Sequence, residues 1–195
     1  MTAPRPPFSI KSVQAKTWKS RAFGFFCLCL FILFAGTPAG SFQADVIGVC
    51  FSPGGGCTDL IVKQIDRAGS QIRVMAYGFT SAPIGKALIR AKKRGVDVQV
   101  VMDRENAGER YSEVNFFQNR HIPVYADSHE EIMHDKVMII DAATIITGSF
   151  NWTRAAEFYN AENVLIIRSR ELAKEYLQNW RFHKRHSTLL AKPRY

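Results

Sequence analysis

Two apolar, β-branched runs, Val137 to Ile140 and Thr144 to Thr147, flank the short polar break Asp141-Ala142-Ala143. Such a pair reads as a β-hairpin. A hairpin constrains the chain strongly, because its register decides which side chains lie opposite one another. A symmetric loop sets Ile140 against Ile145. The same register then sets His134 against Asn151 and Lys136 against Ser149. Residues two apart share a strand face, so one hairpin gathers an imidazole, an ammonium, a hydroxyl and a carboxamide. Ala142-Ala143 is not a favoured two-residue turn, so a longer loop or a bulge would shift this register.

That set of side chains suits a phosphodiester. Phosphoryl transfer needs donors around anionic oxygens and a nucleophile in line with the leaving group. Lys136, Ser149 and Asn151 supply donors for the phosphate. His134 serves as nucleophile or as general acid and base near neutral pH. No cluster of carboxylates, Cys or His stands at metal-ligand spacing. The expectation is therefore chemistry with no metal and no cofactor.

His134-x-Lys136-x4-Asp141, followed by Gly148-Ser149-x-Asn151 and by Asn160-Ala161-Glu162-Asn163, resembles the signature of the phospholipase D superfamily. The likeness runs from about Val49-Cys50-Phe51-Ser52-Pro53 through Met75-Ala76-Tyr77-Gly78-Phe79-Thr80 and Lys92 to Val98 as far as Trp180. Over that length the chain is most similar to the small bacterial endonucleases of the superfamily, which carry one motif per chain. The resemblance implies that His134 attacks phosphorus and forms a phosphohistidine. A second histidine would protonate the leaving oxygen. It also implies that Glu162 accepts a hydrogen bond from the far nitrogen of His134, and that Asp141 supports the motif; as a residue alone, Asp141 reads as a turn former. The substrate implied is DNA, with RNA as a second candidate. A phospholipid is the rival substrate, because it offers the same bond. A nucleic-acid- or membrane-binding module without turnover is the rival of another class, and the intact motif argues against it.

The motif occurs once, while the implied mechanism uses two histidines. A homodimer with the site on its two-fold axis completes the set. In that arrangement the hairpin edges, Trp152 and Phe158 would lie between subunits, the alternative being that both aromatics are core residues. His121, His129, His183 and His186 lack the motif's neighbours and read as surface or cap residues. His129, which leads into the active strand, is a candidate to line the groove.

Charge and cysteine usage bear on location. Residues 1 to 44 hold five basic residues and no acid, leaving 21 basic against 17 acidic residues beyond them, a net of +4. Mild basicity suits a polyanionic partner. Lys16, Lys19 and Arg21 precede an apolar run from Ala22 to Gly36, which small residues follow. This reads as a signal peptide, with an uncleaved membrane anchor through residues 22–36 as the rival. A periplasmic or secreted protein is expected, with one phosphodiesterase domain over 45–195. Cys50 and Cys57 bracket a Gly-rich loop and are candidates for a disulfide in an oxidising compartment. Arg181, Lys184, Arg185, Lys192 and Arg194 form a basic tail.

Between these landmarks the pattern alternates. Strands are expected at Asp45 to Phe51, Gln71 to Ala76, Val96 to Met102, Ile122 to Tyr125 and Asn163 to Ile167. Helices are expected at Asp59 to Ala68 (capped by Thr58), Ala82 to Arg94, Tyr111 to Arg120 and Arg170 to about His183, with a short helical or irregular segment from Thr153 to Phe158. The fold class is α/β: a mixed sheet with helices on both faces, the phospholipase D-like fold.

Overall fold

The structure is a computed structural model that describes residues 42–109 and 111–191. The N-terminal basic and apolar segment up to residue 41, together with Lys192 and Arg194 of the tail, lies outside the described residues.

The strands are β1 (Asp45–Ser52), β2 (Gln71–Ala76), β3 (Asp97–Asp103), β4 (Val124–Asp127), β5 (Lys136–Ile140), β6 (Thr144–Gly148), β7 (Glu162–Arg168) and β8 (Thr188–Leu189). The helices are α1 (Cys57–Arg67), α2 (Ala82–Lys93), α3 (Arg104–Gly108), α4 (Val114–Gln118), α5 (Arg154–Phe158) and α6 (Arg170–His186). All eight strands form one sheet in the order β1-β7-β6-β5-β2-β3-β4-β8. β2, β3 and β4 run parallel, and the remaining pairs are antiparallel. The sheet is mixed because helical crossovers link β2 to β3 and β3 to β4, whereas a tight turn links β5 to β6.

Alternation along the strands sorts their side chains to two faces. Ile72, Val74, Met138 and Ile140 join Ile61, Ile65, Ala87 and Leu88 of α1 and α2 in one core. Met75, Val137, Ile139 and Ile145 join Ala173, Leu177 and Trp180 of α6 in the other. Helix α6 is held from both ends of its inner face. Ser169 caps it by accepting from Leu172 N, and Trp180 Nε1 donates to Val74 O at 3.1 Å.

The hairpin register differs from the sequence expectation by one residue. Ile140 faces Thr144, Ile139 faces Ile145 and Val137 faces Thr147. The loop is Asp141-Ala142-Ala143, with φ of 53° at Asp141 and 51° at Ala142. An aspartate tolerates that left-handed conformation and an alanine does so at a cost. Tertiary bonds offset the cost. Asp141 accepts from Gly69 N, Ser70 N and Ser70 Oγ at 2.8 Å each and from Gln71 N at 3.0 Å. A one-residue slip would exchange the side chains facing the two cores, so the observed register is the one that fills both.

Other boundaries moved for local reasons. α1 begins at Cys57 rather than Asp59, behind Gly56, and Thr58 N donates to Glu157 Oε2 at 2.7 Å instead of Thr58 acting as the cap. Cys57 is bonded to Cys50. The helix expected over Tyr111 to Arg120 is shorter, α4 alone, and α3 was not expected. α3 starts because Asp103 Oδ1 accepts from Glu105 N and Asn106 N, a side-chain cap.

Candidate active site

His134 precedes β5 rather than lying in it. The pairing reaches Ala76 against Lys136, and one further bond runs from Tyr77 N to Asp135 O at 3.0 Å. His134 is exposed, and its ring meets Tyr77 edge-on with centroids 4.5 Å apart. Lys136 is 6% exposed. Its Nζ donates to His134 O at 2.6 Å and sits 4.9 Å from the centre of the Tyr77 ring. Burial pushes the Lys136 ammonium below its ordinary range, while Asp135 and Glu162 act in the opposite sense. Tyr77 thus touches both members of the His-x-Lys pair. Sequence reasoning quoted Tyr77 only as part of a resemblance and gave it no role. The available signal was an aromatic residue at a strand end directly before Gly78.

Gly78 continues this wall toward Asn151. A Cβ at Gly78 would stand 4.0 Å from Asn151 Oδ1 and 3.5 Å from Thr153 Cγ2. Asn151 Oδ1 is buried and has no hydrogen-bond partner among the described residues. A buried carboxamide left unpaired costs about 1–3 kcal/mol, so this end of the side chain is set up to meet a group that the protein does not supply.

The remaining expected residues divide. With the shifted register, Lys136 extends toward Gly148 rather than Ser149. Gly148 has φ 151° and lies so close to β7 that an added Cβ would meet Asn163 O at 2.2 Å. The chain leaves the ladder there. Ser149 is exposed, and its Oγ accepts from Asn163 N at 3.1 Å and Asn163 Nδ2 at 3.2 Å. Glu162 does not bond His134 within the subunit. Its Oε1 accepts from Asn160 Nδ2 at 3.0 Å, and it reaches the site electrostatically through Lys136. Asp141 lies at the far end of β5, about 16 Å from Lys136 at strand rise. It is removed from the cluster and pins the start of β2. Burial alone would raise its pKa, but the bonds from Gln71, Gly69 and Ser70 outweigh that and hold the carboxyl below the usual range. Trp152, expected between subunits, is a core residue at 1% exposure with Nε1 donating to Met75 O at 3.0 Å. Phe158 is exposed.

His183 is buried rather than a surface or cap residue. The fold also gathers a group of side chains that spacing along the chain does not show. Asp127, Glu130, His183 and His186 converge, each placing a ligand atom within 4.8 Å of the others. Short-range spacing does not reveal this group, because α6 returns to β4 from 56 residues away in the chain.

Comparison with known proteins agrees with this arrangement. The family model described as "Cardiolipin synthase, PLD-like domain" matches residues 61–183. A phospholipase D of Rickettsia felis is 49% identical over 134 residues, covering 69% of this chain and 67% of that protein. A mitochondrial cardiolipin hydrolase of Mus musculus is 31% identical over 120 residues, or 62% of this chain and 54% of that protein. Among solved structures, the phospholipase D family member Nuc from Salmonella typhimurium superimposes with a TM-score of 0.73 at 41% identity. That match covers 77% of this chain and 100% of that one. NucT from Helicobacter pylori, at 20% identity and a TM-score of 0.67, shares the fold. With the family model spanning β2 to β7, the His-x-Lys pair and most of α6, the chain belongs to the phospholipase D superfamily and is a phosphodiesterase.

Proposed function

We propose that this phosphodiesterase is an exported endonuclease that cleaves DNA, with RNA as a second substrate, through a phosphohistidine at His134. The observation that carries this reading is cationic. α6 lays Arg181, Lys184 and Arg185 along a cleft of about 490 Å³, whose floor includes Arg73, itself ion-paired with Asp97. Several cations lining one cleft suit a polymer of phosphates. Near the motif, Arg154 stacks over the exposed rings of Phe158 and Tyr159, 5.5 and 6.0 Å from their centres. Rings and cations together suit single-stranded nucleic acid, whose bases stack on aromatic faces.

The chemistry follows from the local groups. The free imidazole nitrogen of His134 attacks phosphorus, and the P–O bond to the leaving nucleoside breaks as a P–N bond forms. A second imidazole gives its proton to the leaving oxygen. It then takes a proton from water, which attacks the phosphohistidine and restores His134. Lys136 and Asn151 hold the equatorial oxygens and stabilise their growing charge, while Ser149, just past the end of β6, and Glu162, at the start of β7, frame them. The second imidazole is His134 of another copy, in a homodimer closed around the site. Analytical ultracentrifugation across a concentration series, with activity followed in parallel, tests this: dimer and activity should appear together. A fully active monomer would place the second histidine within the chain, with His129 first in line.

A phospholipid substrate is the second reading. The similar Rickettsia and mouse proteins are named phospholipase D and cardiolipin hydrolase, and Ile132, two residues before His134, is exposed. Incubation of the purified protein with plasmid DNA and, separately, with phosphatidylcholine liposomes separates the two. The endonuclease reading expects nicked and linear plasmid without release of choline. Choline release with intact plasmid would reverse it.

A further inference from the structure

The C-terminal end of α6 and the loop after β4 surround one small space. His183 and His186 stand three residues apart, so they project from the same side of the helix. Asp127 closes β4, and Glu130 follows in the loop. The Asp127 side chain is 0% exposed and that of His183 is 11% exposed. His183 Nδ1 lies 2.7 Å from Asp127 Oδ2 and 3.6 Å from Glu130 Oε2. His186 Nε2 lies 3.1 Å from Asp127 Oδ1 and 3.6 Å from Glu130 Oε2.

Hydrogen bonding accounts for only part of this set. Asp127 bonds both imidazoles, but 3.6 Å is too long for a hydrogen bond. Glu130 therefore brings a second carboxylate to the same two nitrogens without bonding either. The separations do fit a coordination sphere. Metal–ligand bonds of about 2.0–2.1 Å in a tetrahedron put neighbouring ligand atoms about 3.3 Å apart; the four imidazole–carboxylate distances, 2.7–3.6 Å, bracket that value, and all the ligand atoms lie within 4.8 Å of one another. The outer contacts also resemble those of metal ligands. His129 Nδ1 lies 3.1 Å from Glu130 Oε1, which leaves Oε2 turned to the cluster. The His129 ring stacks on His186 with centroids 4.4 Å apart. Two carboxylates among the four ligands suit a dication.

We propose that Asp127, Glu130, His183 and His186 bind one divalent transition-metal ion, zinc being the fitting member. Paired imidazoles select zinc and its neighbours over magnesium and calcium, which prefer oxygen. The ion clamps the end of α6 to the loop that leads into His134. His183 Nε2 stands 3.9 Å from Asp135 Oδ2, next to the His-x-Lys pair. The ion touches no reacting group, so its role is to fasten that loop, and the chemistry at His134 proceeds without it.

The test uses the full chain, stripped with chelator and then dialysed against Zn²⁺ alone or Co²⁺ alone. Elemental analysis should find one zinc per chain. The melting temperature should rise by about 5–10 °C at zinc a hundredfold above its dissociation constant, and Co²⁺ should give the intense visible bands of a tetrahedral site. Glu130 is exposed, so Glu130→Gln keeps the fold and the melting temperature of the stripped wild type, yet should lose most of the zinc-dependent rise. His186→Gln should do the same. No retained zinc and no shift in the wild type would overturn the proposal. So would an undiminished shift and stoichiometry in Glu130→Gln, which would place the metal elsewhere in the chain.

Discussion

The two ends of β5 treat polar groups in opposite ways. At the Asp141 end, one carboxylate receives four hydrogen bonds of 2.8–3.0 Å. At the Lys136 end, a buried ammonium bonds a backbone oxygen, a histidine stands exposed, and the Asn151 carboxamide oxygen is buried with no partner among the described residues. Both ends belong to one sequence motif. A group whose bonds are all made within the chain works for the fold. A group buried with bonds unmade weakens the fold and is kept for something that arrives. The motif thus joins a structural end to a chemical end.

Substitution should separate the two ends. His134→Ala and Lys136→Ala should each cut the cleavage rate by about 10³-fold or more, and the double variant should lose little beyond either single one, because the groups act as a unit. Steady-state rates on a labelled oligonucleotide measure this; independent, multiplying losses would break the comparison. Asn151→Ala should cost about 10²-fold in kcat while leaving the melting temperature unchanged or higher, since a buried carboxamide oxygen without a partner among the described residues is removed. A fall of many degrees would show that Asn151 holds the fold.

Asp141→Ala should do the reverse. Activity below the melting temperature should persist, while stability falls by about 2 kcal/mol, lowering the melting temperature by about 4–8 °C. The pH dependence has a definite sign. The folded Asp141 carboxyl lies below its unfolded value of about 3.9, so its stabilisation is complete above that pH and is lost as pH falls through the folded value. The gap between wild type and Asp141→Asn should therefore narrow in acid; a gap that widens in acid would refute the assignment. The smallest effect is that of chelator on turnover. At 25 °C cleavage should survive excess EDTA, because Met133 N to Asp103 Oδ2 and Tyr77 N to Asp135 O still hold the loop before β5. Abolition by EDTA with restoration by Mg²⁺ would contradict the mechanism.

The sheet was legible because its determinants are local. Apolar periods, Gly95 after α2 and Ser169 before α6 mark elements wherever they fall. The register of the hairpin was not, because left-handed Asp141 and Ala142 are made tolerable by donors from Gly69 to Gln71, which only the folded chain brings near. The same limit hid the Asp127–His183 contact. Trp152 shows a third kind of gap. Its place beside the motif suggested an interface, yet an indole that donates to Met75 O and packs with Phe79 and Phe150 completes the core. Candidate residues were visible as residue types at set spacings. Their division into bonded and unbonded groups emerges only from tertiary contacts.

The central claim is that His134 carries the phosphoryl group. Rapid acid-free quenching of the wild type during turnover of a ³²P-labelled oligonucleotide, followed by denaturing separation, tests it directly. The account predicts label on the wild-type chain that survives base, is released by acid, and is missing from His134→Ala. Label on His134→Ala, or none on the wild type under burst conditions, would contradict it.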